Sequence, residues 1–183
     1  MKCMLPVVLG ILTFSAGVLA QAPDQAALDK ALLAAPASLR AAATVIRWKA
    51  DFTYETLRKG TNRLVCYDRS GQPGQQPYSV ECTSIANLDR AAQNLKFEAI
   101  ADKKASLAAF DAAEKDGTRV KPEYGSVWYH IMGADADHIR THMTIAVPGA
   151  TTKTLGLPEV GGQGGVWIMN AGTTTAHLMT PGE

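Results

Sequence analysis

Apolar positions recur along the chain with two different periods, and each period predicts a different element. From Ala43 to Lys49 they alternate, with Val45 on one face and Ile46 and Trp48 on the other, which predicts a strand. Tyr54 to Arg58 and Leu64 to Tyr67 are two more strand-like runs, separated by Lys59-Gly60-Thr61-Asn62. Gly and Asn tolerate the backbone of a hairpin turn, so the three runs predict an antiparallel meander. Arg69 to Tyr78 carries two Gly, two Pro and three Gln and reads as a loop.

The period then lengthens. Leu88, Ala92, Leu95 and Ala99 fall at i, i+4, i+7 and i+11, one stripe of a helix. Ile100, Leu107 and Phe110 extend the apolar face. The helical signal runs from about Ile85 to Lys115, as one helix or as two broken near Asp102, with Gly117 as a C-terminal cap. A shorter helix is predicted from Gln21 to Ala35, with Pro23 and Asp24 near its start and Pro36 at its end. Strand patterns return at Val127 to Met132 and Met143 to Val147, around the polar segment Gly133 to Thr141. They appear again at Val166 to Met169 and Ala176 to Met179, around Asn170-Ala171-Gly172. Trp128 and Tyr129 must point to opposite faces of their strand, so at most one of them is expected to meet the core. Segregated runs of strands around a central helical segment predict an α+β fold with an antiparallel sheet.

The N-terminus adds a compartment. Lys2 precedes an apolar run from Met4 to Val18, and Val18-Leu19-Ala20 fits cleavage before Gln21. Residues 1–20 are therefore expected to be a signal peptide and 21–183 a single domain, periplasmic or secreted. The run is too short for a comfortable membrane span, and no later stretch is longer and apolar. Cleavage would leave two cysteines, Cys66 and Cys82, which in an oxidising compartment are expected to pair. Lys plus Arg is 18 and Asp plus Glu is 17, so no net field draws in nucleic acid or anionic lipid.

Candidate chemistry centres on His130-Ile131-Met132, His142-Met143 and His177-Leu178-Met179. Residues two apart in a strand share a face, which places His130 beside Met132 and His177 beside Met179. Imidazole with thioether suits copper, and imidazole alone also suits zinc, so His130, His142, His177, Met132 and Met179 are the candidate metal set. Their bland alternative is methionine as core filler and histidine bonded to backbone. Asp135-Ala136-Asp137-His138 lacks the oxygen ligands of a calcium loop and reads as a solvated turn. Gly161 to Gly165 matches no phosphate-binding motif and reads as a flexible surface loop that could cover a cleft. Ser126 is not in a nucleophile elbow, and Glu81, Glu98 and Glu123 show no acid–base partner in the sequence.

Several pieces resemble an uncharacterised family of small exported bacterial proteins. They are Leu57-Arg58-Lys59-Gly60-Thr61-Asn62, then Cys66, a Pro/Gly loop and Cys82, and Thr141-His142-Met143 leading to Val147-Pro148. Val166-Trp167-Ile168-Met169 and Ala176-His177-Leu178-Met179-Thr180-Pro181 complete the resemblance. It implies export and a common fold but no activity. His142 and His177 fall on its motif positions; His130 and His138 do not. Three functions stay open: an exported protein binding a small ligand or metal ion near His142 and His177, a hydrolase-like enzyme using the same histidines, and a structural envelope interaction module. The ligand, the reaction and the oligomeric state are not encoded in any local pattern.

Overall fold

The structure, a computed structural model, describes residues 25–180. The expected signal peptide and its cleavage point lie outside the described residues. Two helices, α1 (Gln25–Ala31) and α2 (Ala37–Arg40), lead into β1 (Thr44–Trp48), β2 (Tyr54–Arg58), β3 (Leu64–Asp68) and β4 (Tyr78–Ser84). A 3-10 turn at Ile85–Asn87 opens α3 (Leu88–Glu98), followed by α4 (Lys103–Asp116). The chain ends in β5 (Val127–Gly133), β6 (Ile139–Ala146), the short α5 (Thr152–Leu155), β7 (Trp167–Met169) and β8 (His177–Met179). The eight strands of the described residues form one sheet in the order β2-β1-β3-β4-β5-β6-β8-β7. This is the α+β architecture with strand runs on either side of a central helical segment. Among the described residues, no helix is long and apolar enough to cross a membrane.

Alternation along the strands divides the apolar residues between the two sheet faces. Val45, Leu64, Cys66 and Cys82 point to one face and pack under Leu28, Ala31 and Leu32 of the N-terminal segment. Ile46, Trp48, Val65 and Tyr67 point to the other and pack under Leu88, Ala91 and Leu95 of α3. Each face therefore has its own core. The expectation for Trp128 and Tyr129 is corrected on this point: they do diverge, but Trp128 packs against the α3-side cluster and Tyr129 against the α1-side cluster. The helical region divides where Asp102, as N-cap, accepts from the Ala105 amide at 2.7 Å. Gly117 ends α4 in the left-handed conformation, φ 76°. Leu107 and Ile100, read from spacing as apolar face, are instead exposed.

The predicted meander is also corrected. β1 pairs antiparallel with β2 but parallel with β3, so β1 lies between them. The segment after β2 must therefore cross the end of β1. Thr61 and Asn62 amides both donate to Ala42 O, at 2.8 and 3.0 Å, and the Gly60 amide donates to Thr44 Oγ1 at 3.1 Å. Gly60 is needed there for closeness, not for a hairpin turn. A Cβ at Gly60 would stand 2.3 Å from Ala42 O and 2.4 Å from both Ala43 C and Thr44 N, all backbone atoms. Gly60→Ala is expected to cost about 3 kcal/mol in urea unfolding, the upper end for overpacking. Gly165→Ala, with nothing within 4 Å, is the control. Equal midpoints for the two variants would show that the crossing yields easily.

β3 and β4 form a hairpin whose register sets Cys66 opposite Cys82. The two form a disulfide with Cα atoms 4.1 Å apart, across 16 residues of sequence. It closes the Pro/Gly loop at its base, as the cysteine count predicts.

Candidate functional site

Sheet register builds the site. Tyr67 pairs with Glu81, Glu81 with His130, and His130 with His142. These four residues form one row across β3, β4, β5 and β6, on the face covered by α3. Facing side chains in such a row stand about 4.5–5.5 Å apart at Cβ. Under α3 the row begins apolar, at Tyr67, and becomes polar toward β6. There the sheet and α3 enclose a cleft of about 310 Å³. His130, His142 and His177 all line it, together with Trp128, Thr144 and Thr175. From the helix side, Arg90, Asn94 and Glu98 face it at a spacing of four residues, one stripe of α3.

The floor is an ionic network that the sequence did not reveal. Arg69, its side chain 4% exposed, donates to Glu81 Oε1 at 3.1 Å and also to Glu98 Oε2. Its Nε donates to Gln72 Oε1 at 3.3 Å. The buried Tyr67 hydroxyl donates to the other Glu81 oxygen at 3.1 Å. Burial pulls the Arg69 guanidinium down, but the Glu81 and Glu98 carboxylates outweigh it and the net shift is upward. Burial, then the Glu81 charge, pushes the Tyr67 phenol well above its ordinary range. Glu81 and Glu98 thus do have a partner, reached only through the folded sheet.

The three imidazoles differ in their bonding. His130 Nε2 lies 2.8 Å from Ser79 Oγ, and that hydroxyl donates to Gln75 Oε1 at 2.9 Å. Ser79 is therefore left to accept, so His130 carries its proton on Nε2. Glu81 Oε1 is 3.8 Å from the same ring nitrogen. Carboxylate and hydroxyl thus meet one nitrogen, whereas a nucleophilic triad needs them on opposite nitrogens. Ser79 is also fully buried. His177 Nδ1 donates to Thr175 O at 2.7 Å, which in the neutral ring leaves Nε2 as a lone pair. His142 makes no hydrogen bond among the described residues.

The copper or zinc set is not assembled as expected. His177 stands opposite Ala146, four residues along β6 from His142. At strand rise that is roughly 13 Å between their positions along the sheet. Met132 and Met179 share faces with His130 and His177, but neither lines the cleft. The Met132 thioether accepts instead from Arg140 at 3.7 Å, across the β5–β6 pair. Among the described residues, no group of three or more His, Cys, Asp or Glu side chains could hold a metal ion. His138 lies apart, on the β5–β6 turn, where its ring meets the Asp135 carboxylate at 2.8 Å. That segment is the solvated turn read from the sequence.

Burial lowers His130 below the ordinary imidazole range; Glu81 opposes this, and Arg69, His142 and Arg140 add to it. His142 is lowered in the same direction, by burial first and then by His177 and Arg140. The unfolded chain therefore takes up these protons at higher pH than the folded one. Their stabilisation is full above about pH 6.5 and is lost as pH falls through the depressed folded values. The lowered carboxylates Asp68 and Glu123 act in a separate window, below about pH 4.5. The urea midpoint is expected to fall between about pH 7.5 and about pH 5.5, and His130→Gln to flatten that slope. A midpoint constant over this range would contradict the assigned burial of the rings.

Fold and site together define a small α+β domain with a polar, histidine-walled cleft on one sheet face. No family model, no curated protein and no solved structure matches the chain.

Proposed function

We propose that this is an exported protein that binds a small organic molecule in the cleft between α3 and strands β4 to β8. One observation carries the reading: imidazoles from β5, β6 and β8 line a single open space of about 310 Å³. The volume suits a small molecule, and the many convergent polar groups of the lining suit a polar or charged one. Separation of His142 from His177 along the sheet favours a ligand that spans the cleft over a single ion held between them. Export is supported by the Cys66–Cys82 bridge together with the Lys2 to Ala20 leader pattern. Mass spectrometry of the protein recovered from its native host would test this directly, with Gln21 as the expected first residue.

The binding reading is tested by ligand-observed NMR with a panel of small acids, amines and neutral aromatics. Hits should disappear in a His142→Ala, His177→Ala double variant whose unfolding midpoint is little changed. Hits that survive both substitutions would place binding elsewhere.

One observation favours the hydrolase-like alternative: the Thr175 carbonyl fixes the His177 tautomer that leaves Nε2 free to accept a proton. That reading needs turnover of an ester or amide panel that His177→Gln abolishes. Binding without turnover sustains the first reading.

A further inference from the structure

We propose that the α3 end of the cleft is an oxyanion subsite, in which Arg90, Asn94 and Thr175 receive the carboxylate or phosphate of a small organic anion. The inference rests on the reading of the cleft as a binding site and specifies what it binds.

Arg90 is 4% exposed, yet every partner it has among the described residues is a neutral oxygen. Nη1 donates to Val120 O at 2.6 Å and to Thr174 Oγ1 at 3.1 Å, which uses both of its hydrogens. Nη2 donates to Thr175 Oγ1 at 2.7 Å and keeps one hydrogen. Buried charges are ordinarily paired, so a guanidinium lining a cleft with only neutral hydrogen-bond partners is prepared for an anion.

Two further donors stand at the same end. Thr175 Oγ1 accepts from Arg90, and its own hydrogen has no acceptor among the described residues. Asn94 lies one helical turn from Arg90 on α3. Its Oδ1 accepts from Arg119 Nη2. Arg119 can only donate, which fixes the amide orientation and leaves Nδ2 without an acceptor among the described residues. Arg90, Asn94 and Thr175 all line the cleft.

The surrounding charge supports the same sign. Burial, and then the like charge of Arg119, lowers Arg90 to about 10, with Glu114 opposing. Glu114 does not reach Arg90 directly. It accepts from the Thr174 amide and hydroxyl, both at 2.6 Å, one hydroxyl removed from the guanidinium. Glu81 and Glu98, the acidic groups lining the cleft, are both bound by Arg69.

The test is isothermal titration of the protein with benzoate, phenyl phosphate, benzyl alcohol and benzylamine, one ring carrying four head groups. At least one of the two anions should bind about tenfold more tightly than benzyl alcohol, the change expected for a charge-assisted hydrogen bond. Which anion is preferred decides between carboxylate and phosphate. Benzylamine should bind weakest. Asn94→Asp places a carboxylate beside Arg90 and Arg119 without emptying the core, and should abolish anion binding while the protein stays folded. In the unsubstituted protein, the Arg90 Nε–H resonance should shift on adding the preferred anion.

Equal binding of alcohol and anion, lost in His142→Ala, would overturn the anion subsite and leave the ligand-binding cleft standing. Anion binding that Asn94→Asp does not weaken would also overturn it. Binding by none of the four probes would overturn the subsite, while the wider panel decides the fate of the cleft.

Discussion

Arg69→Met is expected to lower the free energy of unfolding by about 3–5 kcal/mol, the range for breaking a buried ion pair by removing one partner. Arg69 ion-pairs with both Glu81 and Glu98, and its side chain is 4% exposed. Without it the Glu81 carboxylate, 10% exposed, keeps only the Tyr67 hydroxyl as a hydrogen-bond partner among the described residues. Two facing carboxylates would then also repel. Adding Glu81→Gln should recover part of the loss, because a neutral amide is cheaper to bury than an ionised group. Glu98→Gln alone should cost less than Arg69→Met, since Glu98 is more exposed, at 22%. Urea unfolding of the three variants and the unsubstituted protein at neutral pH makes the comparison. An Arg69→Met loss within about 0.5 kcal/mol, the scatter of surface substitutions, would mean that the network adds nothing to the fold.

The second large effect belongs to the disulfide. A Cys66→Ala, Cys82→Ala double variant is expected to lose about 3 kcal/mol, the chain-entropy value for a loop of this length. Both sulfurs are fully buried in the α1-side cluster, so truncation to alanine also removes packing. Treating the oxidised protein with reductant in urea, and then diluting, should reproduce the entropic part alone. Alkylation of the protein from an oxidising compartment, done in denaturant without reductant, should label neither Cys66 nor Cys82. Labelling at both would remove the bridge and, with it, the main structural support for export.

Much of the fold is legible because the two periodicities are local. Tyr54–Arg58 is a strand where the pattern places one, and Val45 diverges from Ile46 and Trp48 as alternation requires. The helix break at Asp102 follows from a carboxylate that can cap the next turn. Pairing of Cys66 with Cys82 follows from the count and from the expected compartment. The meander failed for a reason no local pattern contains. Gly60 reads equally well as a turn residue or as a residue pressed against another strand, and only its Ala42–Thr44 neighbours distinguish the two.

The candidate site was half legible for the same reason. Sequence placed His130 and His177 on strands with their faces relative to Met132 and Met179, and left His142 just before a strand that in fact begins at Ile139. It gave no way to see that His130 would stand opposite His142, or that Glu81 would meet Arg69 across a loop and Glu98 from a helix. Arg90 and Thr175, 85 residues apart in the chain, meet only because α3 covers the strand run that ends in β8. The sequence alone determined element type, strand faces, the cysteine pair and the charge balance, since these depend on neighbours along the backbone. Tertiary structure alone decided the strand order, the ionic floor and the donors at the α3 end of the cleft. Those depend on register and on which helix lies over which strand, and both are settled by burying two apolar sheet faces at once.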